Sequence, residues 1–137
     1  MRKGRTVFTL ITLLIVKAGF AQRAKHIEQQ LDSCLQKAIN TLEMTSCEGA
    51  AYKAWDEELN KYYQLLQSTL REENKNTLKE AQRKWIAYRD QEFELIDAYC
   101  FSEHQGTMWN MVSIEKRVAI VKARALELKN YYEGLKE

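Results

Sequence analysis

No proline interrupts this chain anywhere in its 137 residues, and glycine occurs only five times. A β-sandwich or barrel needs a turn signal about every 8–12 residues, so this shortage argues against β architecture and for long helices. Histidine is nearly as scarce. His26 and His104 are the whole supply, which leaves little material for a histidine-based triad or a multi-histidine metal site. No HExxH, glycine-rich phosphate loop, CxxC or GxSxG is present. Cys100 and His104, four apart, could share a helical face, but the plainer reading is a buried cysteine beside a surface histidine. Carboxylates cluster at Asp56, Glu57 and Glu58, with Lys53 and Lys61 close by, as on a solvated helix face. No catalytic residue, metal site or cofactor is expected, and an enzyme is disfavoured because no nucleophile–base set is available.

A large charge imbalance is also missing: 21 Lys and Arg stand against 19 Asp and Glu. Four of those cations (Arg2, Lys3, Arg5 and Lys17) lie in residues 1–21, which hold no acid. Arg2, Lys3 and Arg5 precede an uncharged, mostly apolar run from Thr6 to Val16, and Gly19 and Ala21 supply small residues before Gln22. That pattern predicts a signal peptide over 1–21 with cleavage before Gln22, and a periplasmic or secreted mature chain. The run is too short to span about 30 Å of hydrocarbon, so no membrane span is expected after cleavage. Removing the segment turns a net charge of +2 into −2, with the charges interspersed, which gives no electrostatic footprint for nucleic acid. Residues 22–137 then suffice for a single domain with a single core.

Three cysteines in an exported chain predict a disulfide and one remaining thiol. Cys34 and Cys47 are neighbours in sequence and Cys100 is remote, so a 34–47 bridge is expected. Cys100 is left free, buried or available to another chain, which makes an oligomer through Cys100 an option. In one continuous helix Cys34 and Cys47 would lie about 20 Å apart, whereas a disulfide needs Cα atoms about 5.5–6 Å apart. The chain must therefore reverse between them, and Asn40 to Thr45 is where propensity allows it.

The apolar pattern has a helical period. Ile114, Val118, Val121, Ala125, Leu128 and Tyr132 form one stripe, and Tyr52, Trp55, Leu59, Tyr62, Leu66 and Leu70 form a second. A third runs Leu78, Ala81, Trp85, Tyr88, Ile96 and Tyr99, less regular around Glu92 and Phe93. Thr45 with Glu48, and Thr77 with Glu80, have the spacing of capping boxes. Glu72 to Asn76 reads as a polar turn, Ser102 to Thr107 as a break around Gly106, and Gly134 as a left-handed C-cap. The expectation is an all-α bundle of about four helices near 24–40, 46–72, 77–101 and 108–133, stapled by one disulfide.

The segments Glu43-Met44-Thr45-Ser46-Cys47, Trp55-Asp56-Glu57-Glu58-Leu59-Asn60-Lys61-Tyr62 and Leu78 to Asp90, with Gly106-Thr107-Met108 and Arg124 to Leu128, resemble the LprI-type lysozyme inhibitor N-terminal domain family over about residues 30–130. The Leu-Asn-x-x-Tyr and Gln-x-x-Trp-x-x-x-Arg-Asp blocks carry most of that likeness. It implies an exported, helical, disulfide-bonded protein that inhibits lysozyme. Many members have a second cysteine pair flanking the Gly106 loop; those positions hold Phe93 and Lys116 here, which leaves the 101–107 loop without a covalent brace.

The matched residues Asp56, Leu59, Asn60, Tyr62, Gln82, Trp85, Arg89, Asp90 and Arg124 read as architecture. Gln82, Trp85 and Arg89 share one helical face, and Arg89 is expected to pair with Asp56 on a neighbouring helix and fix their register. Contacts to a protein partner, lysozyme by the resemblance, are expected at Glu103, His104 and Trp109 in and beside the Gly106 loop. Trp109 could serve as an exposed anchor or fold back over the core. The alternative is a non-enzymatic module of cell-envelope structure or assembly that binds no lysozyme.

Overall fold

The computed structural model describes the backbone of residues 8–136 and the side chains of 22–136; the predicted signal peptide, 1–21, lies outside the described side chains. The described residues form α1 (Phe8–Lys37), α2 (Thr41–Thr69), α3 (Glu72–Asp97), a π-helical turn (Ala98–Ser102) and α4 (Met108–Gly134). The fold is all-α with four helices, as the periodicity predicts.

The helix boundaries differ from expectation where capping was misread. The N-cap of α2 is Asn40, whose side chain accepts a bond from the Glu43 amide at 2.9 Å. Glu43 reaches back to accept from the Ile39 amide at 2.9 Å, so the box is Asn40–Glu43. Thr45 sits inside the helix, its hydroxyl donating to the Thr41 carbonyl at 2.8 Å, and Glu48 is buried. Likewise α3 begins at Glu72, with Glu72 and Glu73 in its first turn where the helix dipole favours acids. The segment expected to be a polar turn is therefore helical, and Thr77 is interior. The break is just Leu70 and Arg71, both in extended conformation. Gly134 has no left-handed φ; among the described glycines Gly106 has one, at 103°.

Cys34 and Cys47 are bridged, with Cα atoms 5.7 Å apart. The reversal that this requires is confined to residues 38–40, meeting the expected segment only at Asn40, and Thr41 to Thr45 are already helical. Helix α1 therefore runs antiparallel to α2, with Glu28 accepting a bond from Trp55 Nε1 at 3.2 Å and Arg23 beside Glu58 at 3.6 Å.

Helices α2 and α4 run parallel and pack most closely. Lys122 lies over Trp55 and Tyr132 beside Tyr62, and the small Ala51 and Ala125 line the seam. The core between them holds Trp55, Leu59, Tyr62, Leu66, Val118, Val121, Ala125, Leu128 and Tyr132, with Ile27 closing it from α1. Both C-terminal and central stripes read from the sequence are thus core; truncating a ring as buried as Trp55 would cost about 3–5 kcal/mol.

Helix α3 keeps half of its expected stripe inside and turns Ala81, Tyr88 and Tyr99 to solvent. It buries Gln82 and Ile96, continued by Cys100 in the π turn, and leaves Tyr88 and Tyr99 exposed. Leu78, Trp85 and Phe93 are partly buried against the core. The buried face is therefore rotated from the expected one. It follows polar Gln82 and Arg89, which an apolar-only stripe skips.

Candidate protein-binding interface

The turns α1–α2 and α3–α4 lie at the same end of the bundle. Tyr52, Phe93 and Arg117 stand at one level, since Phe93 meets Tyr52 at 6.3 Å and the Arg117 guanidinium at 4.8 Å. From there each helix runs about 8–11 residues, roughly 12–16 Å, to the same end.

That end is apolar where water is. Ile39 is 86 % exposed, Leu42 81 %, Met108 57 % and Phe101 51 %. Scattered surface leucines need no explanation, but here large apolar side chains gather at one end of the bundle. The Cys34–Cys47 bridge lies immediately behind the first turn, so this end is also the covalently stiffened one.

The second turn is built around an aromatic stack. His104 Nδ1 donates to the Tyr99 carbonyl at 2.8 Å, five residues back, extending the π-turn spacing by a side chain. The His104 ring lies 3.7 Å from the Trp109 indole, and Tyr99 packs on both, at 4.7 and 5.7 Å. Lys116 Nζ sits 5.5 Å from the Tyr99 ring. Gly106 takes the left-handed conformation that lets the chain enter α4. Trp109 is half-buried, so it is neither a free anchor nor a core residue. Glu103 and His104 lie beside it on the turn, Glu103 exposed.

The loop has non-covalent bracing at Phe93 and Lys116, the two positions where the resemblance implies a second cysteine pair and this chain has none. Phe93 packs against Tyr52 and under Arg117, and Lys116 caps Tyr99. An ion pair between Arg117 and Asp97 ties the end of α3 to α4. Cys100 is fully buried beneath; its thiol is not presented to another chain, which removes the basis for an oligomer linked through it.

The other matched residues form a separate seam. Arg124 Nε donates to Gln82 Oε1 at 3.1 Å and its Nη1 to Glu127 at 2.5 Å. The guanidinium groups of Arg124 and Arg89 lie 5.8 and 5.5 Å from the Trp85 ring. Arg89 donates to Asp90, at 2.9 and 2.6 Å, and not to Asp56. Asp56 instead accepts from Asn60 Nδ2 on its own helix at 3.1 Å, while Leu59 and Tyr62 are core. The register between α3 and α4 is thus held by Arg124 and Gln82; the sequence pointed to both residues but not to their pairing. Ile39, Leu42, Phe101 and Met108 were missed, and the alternation of apolar residues with Asn40 and Ser102 in short turns was the available signal.

One acid and one phenol lie in unusual surroundings. Glu48 is buried, and burial, then Glu115 and Glu28, push its carboxyl above the ordinary range. The Tyr62 hydroxyl is pushed up to about 12, first by burial and then by Glu58 and Glu133. Among the described residues no group of three or more His, Cys, Asp or Glu is placed to hold a metal ion, and no helix is long and apolar enough to cross a membrane.

Comparison with known proteins places this geometry. The model of the family described as "Lysozyme inhibitor LprI" matches residues 32–128. An uncharacterized protein of Rhizobium meliloti (strain 1021) is 30 % identical over 119 residues, covering 77 % of this chain and 84 % of its own. A crystal structure of an uncharacterized protein from Burkholderia thailandensis superposes with a TM-score of 0.73 at 29 % identity. It covers 80 % of this chain, which in turn spans 55 % of that longer one.

Proposed function

This chain belongs to the LprI lysozyme inhibitor family, and we propose that it is an exported inhibitor that blocks a lysozyme by protein–protein contact through the end of the bundle bearing the α1–α2 and α3–α4 turns. The observation that carries this reading is the exposure of Ile39, Leu42, Phe101 and Met108 together at that end. Apolar and aromatic residues at the centre of a patch, ringed by polar ones, are the usual composition of a binding interface. Glu103, beside the His104–Trp109 stack, supplies an acid that suits the basic surface common among lysozymes. Export is supported by the N-terminal charge and apolar pattern and by a disulfide, which persists in oxidising compartments.

The test is protection of cell walls from lysis by c-, g- and i-type lysozymes with purified residues 22–137. Inhibition should weaken about tenfold or more in Leu42→Asp and Phe101→Asp, the loss typical of a central contact, with helicity unchanged. No protection at tens of micromolar against any class would end the proposal.

A further inference from the structure

Methionine is sparse in this chain, and it is placed unevenly. Apart from Met1 the sequence holds Met44, Met108 and Met111. Met44 lies in the first turn of α2, and Met108 and Met111 lie in the first turn of α4. Because α2 and α4 run parallel, all three thioethers gather at the end of the bundle that exposes Ile39, Leu42 and Phe101. The rest of both helices has none.

The three differ in depth. Met44 continues the α2 stripe of Cys47 and Ala51, and Met111 continues the α4 stripe of Ile114 and Val118. The level at which Trp55 meets Lys122, carried back about three turns along both helices, sets Met44 level with Met111. Both are half-buried and form the outermost layer of the α2–α4 seam. Met108 lies one turn further out, 57 % exposed among the apolar side chains of that end. Cys100 is fully buried, and Cys34 and Cys47 are joined to each other. Among the described residues Met108 is therefore the sulfur most open to an oxidant.

We propose that Met108 is a reversible oxidation site that controls whether the apolar end can bind. Hydrogen peroxide supplies the oxygen. A sulfur lone pair takes one oxygen as the O–O bond breaks, and the other oxygen leaves with both protons as water. The thioether is oxidised by two electrons to a sulfoxide, and the peroxide is reduced by the same two. Methionine sulfoxide reductases reverse the step.

The consequence follows from where that oxygen lands. Methionine suits a binding surface because its thioether is apolar and its chain adapts to a partner. A sulfoxide keeps the chain but adds a strong acceptor, which a dry contact must either pair or desolvate at a cost. At the exposed Met108 this happens outside the core, so the fold is untouched. Met44 and Met111 react later, and sulfoxides there would enter the seam itself and loosen it. The effect on inhibition rests on this end being the lysozyme contact, whereas the order of oxidation and the loss of surface apolarity do not.

Graded hydrogen peroxide treatment of the exported protein, with its disulfide intact, tests this by peptide mass mapping, retention on a phenyl column and lysozyme inhibition. Met108 should gain its oxygen several-fold faster than Met44 or Met111. At the dose where Met108 alone is modified, helicity should be unchanged, retention should fall, and inhibition should weaken about tenfold, as for a central contact. Methionine sulfoxide reductases should restore both readouts. Met108→Leu should keep full retention and inhibition through that dose, whereas Met44→Leu with Met111→Leu should give no protection. Equal oxidation of the three methionines, or unchanged retention once Met108 is modified, would overturn the proposal. So would full inhibition by the Met108 sulfoxide. A chain that inhibits no lysozyme before treatment removes the inhibitor function instead, and the mass and retention results then decide by themselves whether Met108 controls the apolar end.

Discussion

Removing the Cys34–Cys47 bridge by Cys34→Ala with Cys47→Ala should destabilise the bundle by an amount that the loop itself sets. The two cysteines are 13 apart in sequence, and opening a loop of about 14 residues returns roughly 3 kcal/mol of chain entropy to the unfolded state. With an unfolding entropy of about 2.1 cal/mol/K per residue, a domain of about 115 residues should melt roughly 12 °C lower. The loss should fall first on α1. Without the bridge, that helix is held by the buried Ile27, the Trp55–Glu28 hydrogen bond and the partly exposed pairs of Glu28 with Lys122 and Arg23 with Glu58. Such exposed pairs contribute about 0–1 kcal/mol each. Thermal melts followed by circular dichroism give the total, and hydrogen exchange at the amides of residues 24–36 locates it. Parent protein in reductant should approach the double variant. A variant melting within about 3 °C of the parent, with α1 protection intact, would refute the loop-closure reasoning.

Three further outcomes follow from buried polar groups. Glu48 has its folded pKa raised, chiefly by burial, so its charge opposes folding at neutral pH, and the stability associated with its protonated form is lost as pH rises through the folded value. Glu48→Gln should therefore stabilise the protein at pH 7, because it removes the buried charge and keeps the side chain's shape. Denaturant titrations at pH 7 and 4 should show that gain shrinking in acid; an equal gain at both would exclude the charge as its cause. The Tyr62 phenol, raised to about 12, ionises earlier in the unfolded chain, so stability should fall from about pH 10 toward 12. Absorbance at 295 nm should show a late-titrating tyrosine that Tyr62→Phe removes, along with part of the alkaline slope. Arg124→Leu should cost about 2–3 kcal/mol because Gln82 is left buried without its donor. Adding Gln82→Leu should recover part of that in urea unfolding, and strictly additive losses would show that the two side chains are not coupled.

Much of the fold was legible because two helices of the core obey a simple rule. Along α2 and α4 every third or fourth residue is apolar and every such residue is needed, so Trp55, Leu59, Tyr62, Val121 and Leu128 announce their burial. The disulfide was legible for a geometric reason, since pairing Cys34 with Cys47 demands a reversal that only residues near Asn40 permit. The helix starts were less so. A threonine three residues before a glutamate describes a cap and equally a helix interior, and the competing Asn40–Glu43 box sits where the chain actually turns.

The binding surfaces were the hardest to see, and α3 shows why. Its sequence supports two overlapping faces. One runs through Gln82, Arg89, Phe93, Ile96 and Cys100 and docks on α4; the other runs through Tyr88, Leu95 and Tyr99 and meets solvent. Periodicity reports that a face is apolar, not what covers it, so Tyr88 and Tyr99 were read into one core stripe with Leu78, Trp85 and Ile96. The docked face could afford polar members because Arg124 reaches Gln82 across the seam and Trp85 accepts two guanidinium groups. Tyr88, Leu95 and Tyr99 are left at the surface, while the polar members of the docked face are satisfied inward. The same logic holds at the end of the bundle. Ile39 and Leu42 flank a cap that uses the Ile39 amide but neither side chain, and the exposure of those side chains costs solubility without contributing to packing. Residues of that kind persist where something outside the monomer covers them.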